Sequence, residues 1–476
     1  ASANDEMMEK FFAGETFTKE EKKFGLKQAL RNNEIKPILG SCAISGYGVG
    51  EVLSFICNFA PVHCEKGTIE VDGKTVETKD DAPFTGRVFK TVVDPFVGKI
   101  SYLKIMSGSL SLSTPLYNAN KDVNEKAGAL YVMCGKKQQT VDKAYCGDIV
   151  ALTKLSQTET CDTLCTKDFV VKYPPIEYPR PMLGMAISPK TKDDEDKMSD
   201  ALKKILIEDK SINLVRNAET GEQVLYCVGD QQLDVVVNKL KNRYKVEINL
   251  KEPKVQYRET IRGKSEVQGK YKKQNGGAGQ FGDVWVRFEY NPDEEDLVFA
   301  EEVFGGAVPK NFFPSVEAGL RACMAKGPLA GCKVVNVKAT LYDGSYHPVD
   351  SKPNSFEAAA KLAFKNGIPK ANPMILEPIG KVHVVTPEKY VGDLIGDFNK
   401  RRGMIMDTGH TDDGYTTIDA DVPMAEMLKY ATELRSMTKG RGTYVIDFDR
   451  YEPAPNSVAE KVIAAAAKDL KDDDID

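Results

Sequence analysis

PMLGMAIS (181–188), DDEDKMSDALKKILIED (193–209), INLVRN (212–217), EQVLYCVG (222–229), QQLDVVVNKLKNRY (231–244) and KVEINL (245–250) decide the reading of this chain. The apolar runs of four to eight residues read as strands, and the two longer segments repeat their apolar residues at helical spacing. In the first helix the acidic residues come early and the lysines late, as the helix dipole favours. The order is β-α-β-β-α-β, a split βαβ or ferredoxin-like unit. The same order recurs in IGKVHVVT (379–386), PEKYVGDLIGDFNKRRG (387–403), GMIMDT (403–408), YTTIDADVP (415–423), MAEMLKYATELRSMT (424–438) and GTYVIDFDRYEP (442–453). Two copies of one plan therefore flank a different region of about 120 residues, 253–376.

That middle region contains strands VWVRFEY (284–290) and KVVNVKATLYDG (333–344) and helices PSVEAGLRACMAKG (314–327) and FEAAAKLAFKNG (356–367). Upstream, residues 63–177 are strand-rich, with turn signals VDGK, VDPFVGK, SGSL and CGD, and read as a small β-barrel. Residues 1–62 read as helix, strand, loop, helix. IKPILGSCA (35–43) is the expected strand and GVGEVLSFICNFA (48–60) the expected buried helix. A lone strand–loop–helix unit is normally one repeat of a larger α/β domain, so the chain is expected to begin inside such a domain and to be a fragment.

Length and composition agree with several domains. At 476 residues the chain exceeds what one core usually serves. Hydrophobic residues are 41% and charged residues 28%, ordinary for a globular protein. No apolar run reaches membrane-spanning length, and the acidic start is no signal peptide. The net charge of −5 argues against a general nucleic-acid binder but permits local basic patches. Ten cysteines, among them Cys57 and Cys134 in apolar runs, read as buried reduced thiols. Cys161 and Cys165 are the closest pair in sequence, without a partner pair at zinc spacing. The acidic end, KDLKDDDID, reads as a solvated tail to a helix.

Several strings imitate nucleotide motifs. Gly277 to Gly282 fits G-x-G-x-x-G but follows a basic polar stretch and precedes a strand, the reverse of the dinucleotide context. It reads as a turn whose bare backbone can approach another molecule closely. Gly263-Lys264-Ser265 imitates the end of a phosphate loop, yet the required first glycine is Arg258. Asn238-Lys239 is followed by Leu240-Lys241 and is no guanine reader. No catalytic residue and no metal site are read. Arg262 to Lys273 carries five basic residues and one acidic, Glu266, and leads into QNGGAGQF. Such lysines beside bare glycine backbone suit RNA phosphates, and Tyr271 and Phe281 suit base stacking. His347 sits in a Gly/Ser/Pro loop and reads as exposed. Lys400-Arg401-Arg402-Gly403, Arg435 and Lys439 to Gly442 end two helices. Their basic residues suit C-terminal dipole chemistry or a shared RNA contact.

These strings together resemble the elongation factor G family. DPFVGKISYLKIMSG (94–108) resembles its domain II, and VQYRETI (255–261) the opening of domain IV. YDGSYHPVDS (342–351) resembles the domain IV tip, and GDLIGDFNKRRGMI (392–405) with ATELRSMTKGRGTY (431–444) its domain V. The resemblance implies a multidomain α+β chain. It would hold a remnant of an α/β P-loop G domain (1–62), a β-barrel domain II (63–177) and ferredoxin-like domain III (178–252). An elongated domain IV with a fold like that of a small-subunit ribosomal protein (253–376) and ferredoxin-like domain V (377–476) would follow. It implies a translational GTPase that promotes tRNA–mRNA translocation, with GTP and magnesium belonging to the full-length parent and no cofactor in this chain. Ser41, Cys42 and Ala43 match the family's last guanine-contacting loop. The implied partners are both ribosomal subunits, their RNA and the tRNA–mRNA of the A site, met by a cytoplasmic monomer. The implied contact residues are Lys272, Lys273, Gln274, Asn275, Gly276, Gly277, Gly306, Val308, Pro309, His347, Val349, Asp350, Ser351, Lys352, Arg401, Arg402, Arg435 and Arg441. Ala278 stands where the family commonly has arginine, Pro353 departs from its tip pattern, and Cys227 to Leu233 departs from its domain III pattern. A divergent paralog is the expected reading. A ribosome-protection protein of the tetracycline-resistance type, a recycling factor and a GTP-independent ribosome-binding module are the alternatives.

Overall fold

The structure is a computed structural model that describes residues 5–135, 137–273 and 279–473. The chain divides into two compact units, Ala1–Tyr178 with Leu202–Lys210, and Pro179–Ala201 with Ser211–Asp476. Among the described residues, no helix is long and apolar enough to cross a membrane.

In the first unit, an eight-stranded antiparallel sheet wraps one core. Its two long central strands, Thr85–Asp94 and Gly98–Ser107, pair across the turn at Pro95 to Val97. Val88, Leu103, Ile105, Val150, Leu152 and Leu164 fill the interior. Alternating burial along Gly98–Ser107 follows the period of two that a one-sided strand requires.

The segment before the barrel differs from its reading in three ways. No strand forms at 35–43, and Ile38 is 97% exposed. A strand needs neighbouring backbone to pair its N–H and C=O groups. Among the described residues none runs beside this one. The helix Val49–Phe59 does form, but none of its residues is buried. Apolar spacing states which face seeks a partner, not that one is there. Cys57, in that helix, is an exposed thiol for the same reason; Cys134, expected buried as well, ends the barrel strand Leu130–Cys134 and is exposed.

In the second unit, both ferredoxin-like units form with the same strand order. In the first, Asn213–Arg216, Gln223–Cys227, Leu183–Pro189 and Ile248–Lys251 lie side by side, all antiparallel. In the second, Met404–His410, Tyr415–Pro423, Pro373–Pro387 and Thr443–Pro453 repeat that order. Leu394, Phe398, Tyr430 and Leu434 seal one face of the second sheet. The strand Pro373–Pro387 runs unbroken through the domain boundary expected at 376/377. Its first residues pair with Arg258–Ile261 of the middle domain. The middle domain is thus joined to its neighbour by sheet, not by a linker.

The middle domain is a four-stranded sheet in the order Ser265–Lys273, Gln280–Tyr290, Val337–Ser345, Val298–Glu301. The helices Phe313–Met324 and Pro353–Gly367 contribute Val316, Leu320, Phe356, Ala360 and Phe364 to one core with Val284, Val286 and Phe288. The second helix lies directly on the hairpin. A Cβ on Gly269 would sit 2.1 Å from the Ala359 carbonyl oxygen, and one on Gly282 2.3 Å from that of Ser355. Only glycine permits that approach.

Candidate nucleic-acid interface

At the far end of the Ser265–Lys273/Gln280–Tyr290 hairpin, loop 345–352 folds against the hairpin's second strand. The Phe281 amide donates to the Asp350 carbonyl at 3.0 Å, and Ser351 Oγ donates to the Phe281 carbonyl at 2.9 Å. Within the loop, the His347 amide donates to Ser351 Oγ at 2.8 Å and the Ser351 amide to the His347 carbonyl at 3.0 Å. The amides of Val349 and Asp350 point at His347 Nδ1 from 3.4 and 3.2 Å. The Asp350 carboxylate lies 3.3 Å from the same nitrogen. The Asp350 carboxylate lies beside Gly279, where a Cβ would come within 2.8 Å of it. Ser345 Oγ and Gln268 Nε2 both donate to Asp283, at 2.7 and 2.8 Å, bracing the loop's root.

These contacts leave a shallow pocket of about 270 Å³ lined by Lys272, Lys273, Gly279, Phe281, His347 and Asp350 among others. Lys272 and Lys273 are exposed, and among the described residues their side chains have no partner. Lys270 lies over the Phe281 ring at 5.9 Å, and Tyr271 Oη donates to Gln280 Oε1 at 3.2 Å. The arrangement offers lysines unpaired among the described residues beside a shallow pocket, groups that hold phosphate, while the half-buried Tyr271 packs against the domain core and Lys270 covers Phe281.

A third loop reaches the same end. Val308 packs against Gly344, where a Cβ would meet Val308 Cγ2 at 2.5 Å. Val308 is 1% exposed, so its side chain belongs to the core and not to a surface contact. Gly305 and Gly306 have φ of +66° and +73° and are exposed. Phe304, which precedes them, is 93% exposed and was not singled out from the sequence. An aromatic residue ahead of a glycine pair was the available signal. Val349 and Lys352 are exposed, and Pro309 is half-buried. Gln274, Asn275, Gly276 and Gly277 lie outside the described residues.

The helix-end arginines are occupied within the protein. Arg401 donates to Asp397 at 2.7 Å and to the Glu426 carbonyl at 2.6 Å, pairs with Glu433, and covers the Tyr430 ring. Arg402, at φ +60°, makes two bonds of 2.7 and 2.8 Å to the buried Glu377. Arg435 donates to the Val228 carbonyl at 2.8 Å. Arg441 alone of the four is exposed with no side-chain partner among the described residues.

Ser41, Cys42 and Ala43 form an exposed loop in the first unit. The Cys42 amide is spent on the Tyr47 carbonyl at 2.8 Å, and the Cys42 carbonyl accepts from Gly46 at 2.9 Å. The Ser45 side chain, hydrogen-bonded to the Cys42 thiol, holds its pKa below the usual value. These residues supply no cation for phosphate and no carboxylate for magnesium, so they do not by themselves fit a whole nucleotide.

Four sequence families match in order: elongation factor G domain 2 over residues 83–167, domain III over 178–252, domain IV over 253–372, and the elongation factor G C-terminus over 374–462. A Thermus thermophilus protein of known crystal structure is 34% identical, with a TM-score of 0.77. The match covers 98% of this chain and 68% of that one.

Proposed function

This chain belongs to the elongation factor G family, a translation elongation factor type, and on that premise we propose that it binds the ribosome and promotes tRNA–mRNA translocation. The observation that carries the reading is the end of the middle domain, where Lys272, Lys273 and the His347 loop stand at the end of a sheet pressed on the helix Pro353–Gly367 at Gly269 and Gly282. A stiff arm with free cations at its tip can enter the decoding site and contact RNA there. It would block the backward slip of tRNA and message by sterics and charge, without bond chemistry. The departures at Ala278 and Pro353 make a specialised paralog the narrower form of the proposal.

Co-sedimentation with ribosomes across a salt series tests it. Binding should weaken with salt, and Lys272→Ala with Lys273→Ala should lower the log–log salt slope by about 1 to 2. Binding at low salt that is indifferent to the double substitution would overturn the assignment of the tip as the RNA contact.

A further inference from the structure

Two cysteines far apart in sequence meet on the barrel. Cys64 lies in the short 3₁₀ turn His63–Lys66, and Cys146 in the loop before strand Ile149–Thr153. Cys64 Sγ donates to the Cys146 carbonyl at 3.3 Å, and Cys146 Sγ donates to the Met106 carbonyl at 3.3 Å. The Cys64 thiol thus sits directly against the backbone of Cys146. Both backbones are fixed. Thr78 Oγ1 holds the Cys64 carbonyl at 3.3 Å, and Asp80 accepts the Cys146 amide at 3.0 Å. Next door, His63 Nε2 lies 3.0 Å from the Met106 carbonyl, and a Cβ on Gly147 would meet His63 Cβ at 3.2 Å. A thiol 3.3 Å from the other cysteine's carbonyl, with both backbones pinned, makes these two side chains the candidates for a cross-link.

Their environments differ. Cys64 is exposed and Cys146 is buried. Burial pushes the Cys146 thiol up to about 12, so the exposed Cys64 is the thiol that an oxidant meets first. Access therefore sets the order of events.

We propose that Cys64 and Cys146 form a reversible, peroxide-driven disulfide that fastens the 63–66 turn to the barrel. Peroxide transfers one oxygen to Cys64 Sγ, giving a sulfenic acid and one water. Cys146 Sγ then attacks Cys64 Sγ, the S–O bond breaks, and its hydroxyl leaves with the Cys146 proton as a second water. The sulfurs lose two electrons and the peroxide gains them. The bond closes a loop of sequence separation 82, and a cross-link over so long a loop restricts the unfolded chain strongly.

The test treats the native chain with equimolar hydrogen peroxide, blocks remaining thiols under denaturing conditions, and maps peptides by mass spectrometry. The expected result is one peptide pair joined through Cys64 and Cys146, released by dithiothreitol, with a higher barrel unfolding midpoint while joined. Cys146→Ser should leave Cys64 as a sulfenic acid that dimedone traps. Cys64→Ser should leave Cys146 unreacted. Either substitution is nearly isosteric, and circular dichroism of the reduced variants checks that they fold. Recovery of Cys146 fully alkylated while Cys64 is oxidised to sulfinic acid would overturn the proposal. Equal cross-linking of Cys64 to Cys57 or Cys134 would do the same.

Discussion

The tip of the middle domain and the helix ends of the last domain look alike in sequence, since both are short runs of lysine and arginine beside glycine. They differ in what the basic groups touch. At the tip, Lys272 and Lys273 have no partner among the described residues and stand in solvent. At the helix ends, Arg401, Arg402 and Arg435 are bound to Asp397, Glu377, Glu433 and backbone carbonyls. Arginine's planar fork suits such fixed pairing, whereas lysine's single charge on a long stem suits a loosely held phosphate. A basic run therefore marks a contact surface only where the fold leaves its charges unspent.

Three substitutions sharpen that contrast. The largest effect is expected for Arg402→Ala, which leaves the buried Glu377 carboxylate without its two donors. Breaking such a pair costs about 3 kcal/mol, read as a lowered urea midpoint for the last domain. A loss under about 1 kcal/mol would mean that Arg402 is as free as the tip lysines. Arg435→Ala removes one hydrogen bond to the Val228 carbonyl and should cost about 1 kcal/mol in the same measurement. A drop in ribosome affinity without any stability change would instead return Arg435 to the RNA-facing class. Arg441→Ala should change stability by less than about 0.5 kcal/mol. If Arg441 behaves as the tip lysines do, its removal lowers the salt slope of ribosome binding by about 1. Unchanged slope would confine the RNA contact to the middle domain.

The two ferredoxin-like units were legible because each strand and helix there is one-sided and period speaks directly to burial. Val236 and Leu240 in the first unit, and Leu394 and Phe398 in the second, face inward at the spacing the sequence shows. The early segment was misread for the converse reason. IKPILGSCA and GVGEVLSFICNFA are apolar, but burial is a property of a pair of surfaces and the sequence displays one at a time. In the candidate interface, the sequence pointed to His347 and Lys272 as exposed, which they are. Val308 was carried over as a contact with its loop by the family resemblance, while its side chain fills the space that Gly344 leaves.

What the sequence determined by itself was local: periods, caps, turns, the doubled β-α-β-β-α-β order, and the strings that place the chain in its family. These follow from backbone geometry and from solvation of neighbouring residues. What only the tertiary structure decided was partnership across long separations. It ran one strand through the boundary expected at 376/377 and tied Arg402 to Glu377. It also set Cys64 against Cys146, when the closest pair in sequence was Cys161 and Cys165. Cys165 is buried against the Tyr117 carbonyl, and Cys161 sits apart at φ +81°. The physical reason is the same in each case. Charge neutralisation, strand pairing and thiol contact act between atoms a few ångströms apart, and the distance along the chain does not enter them.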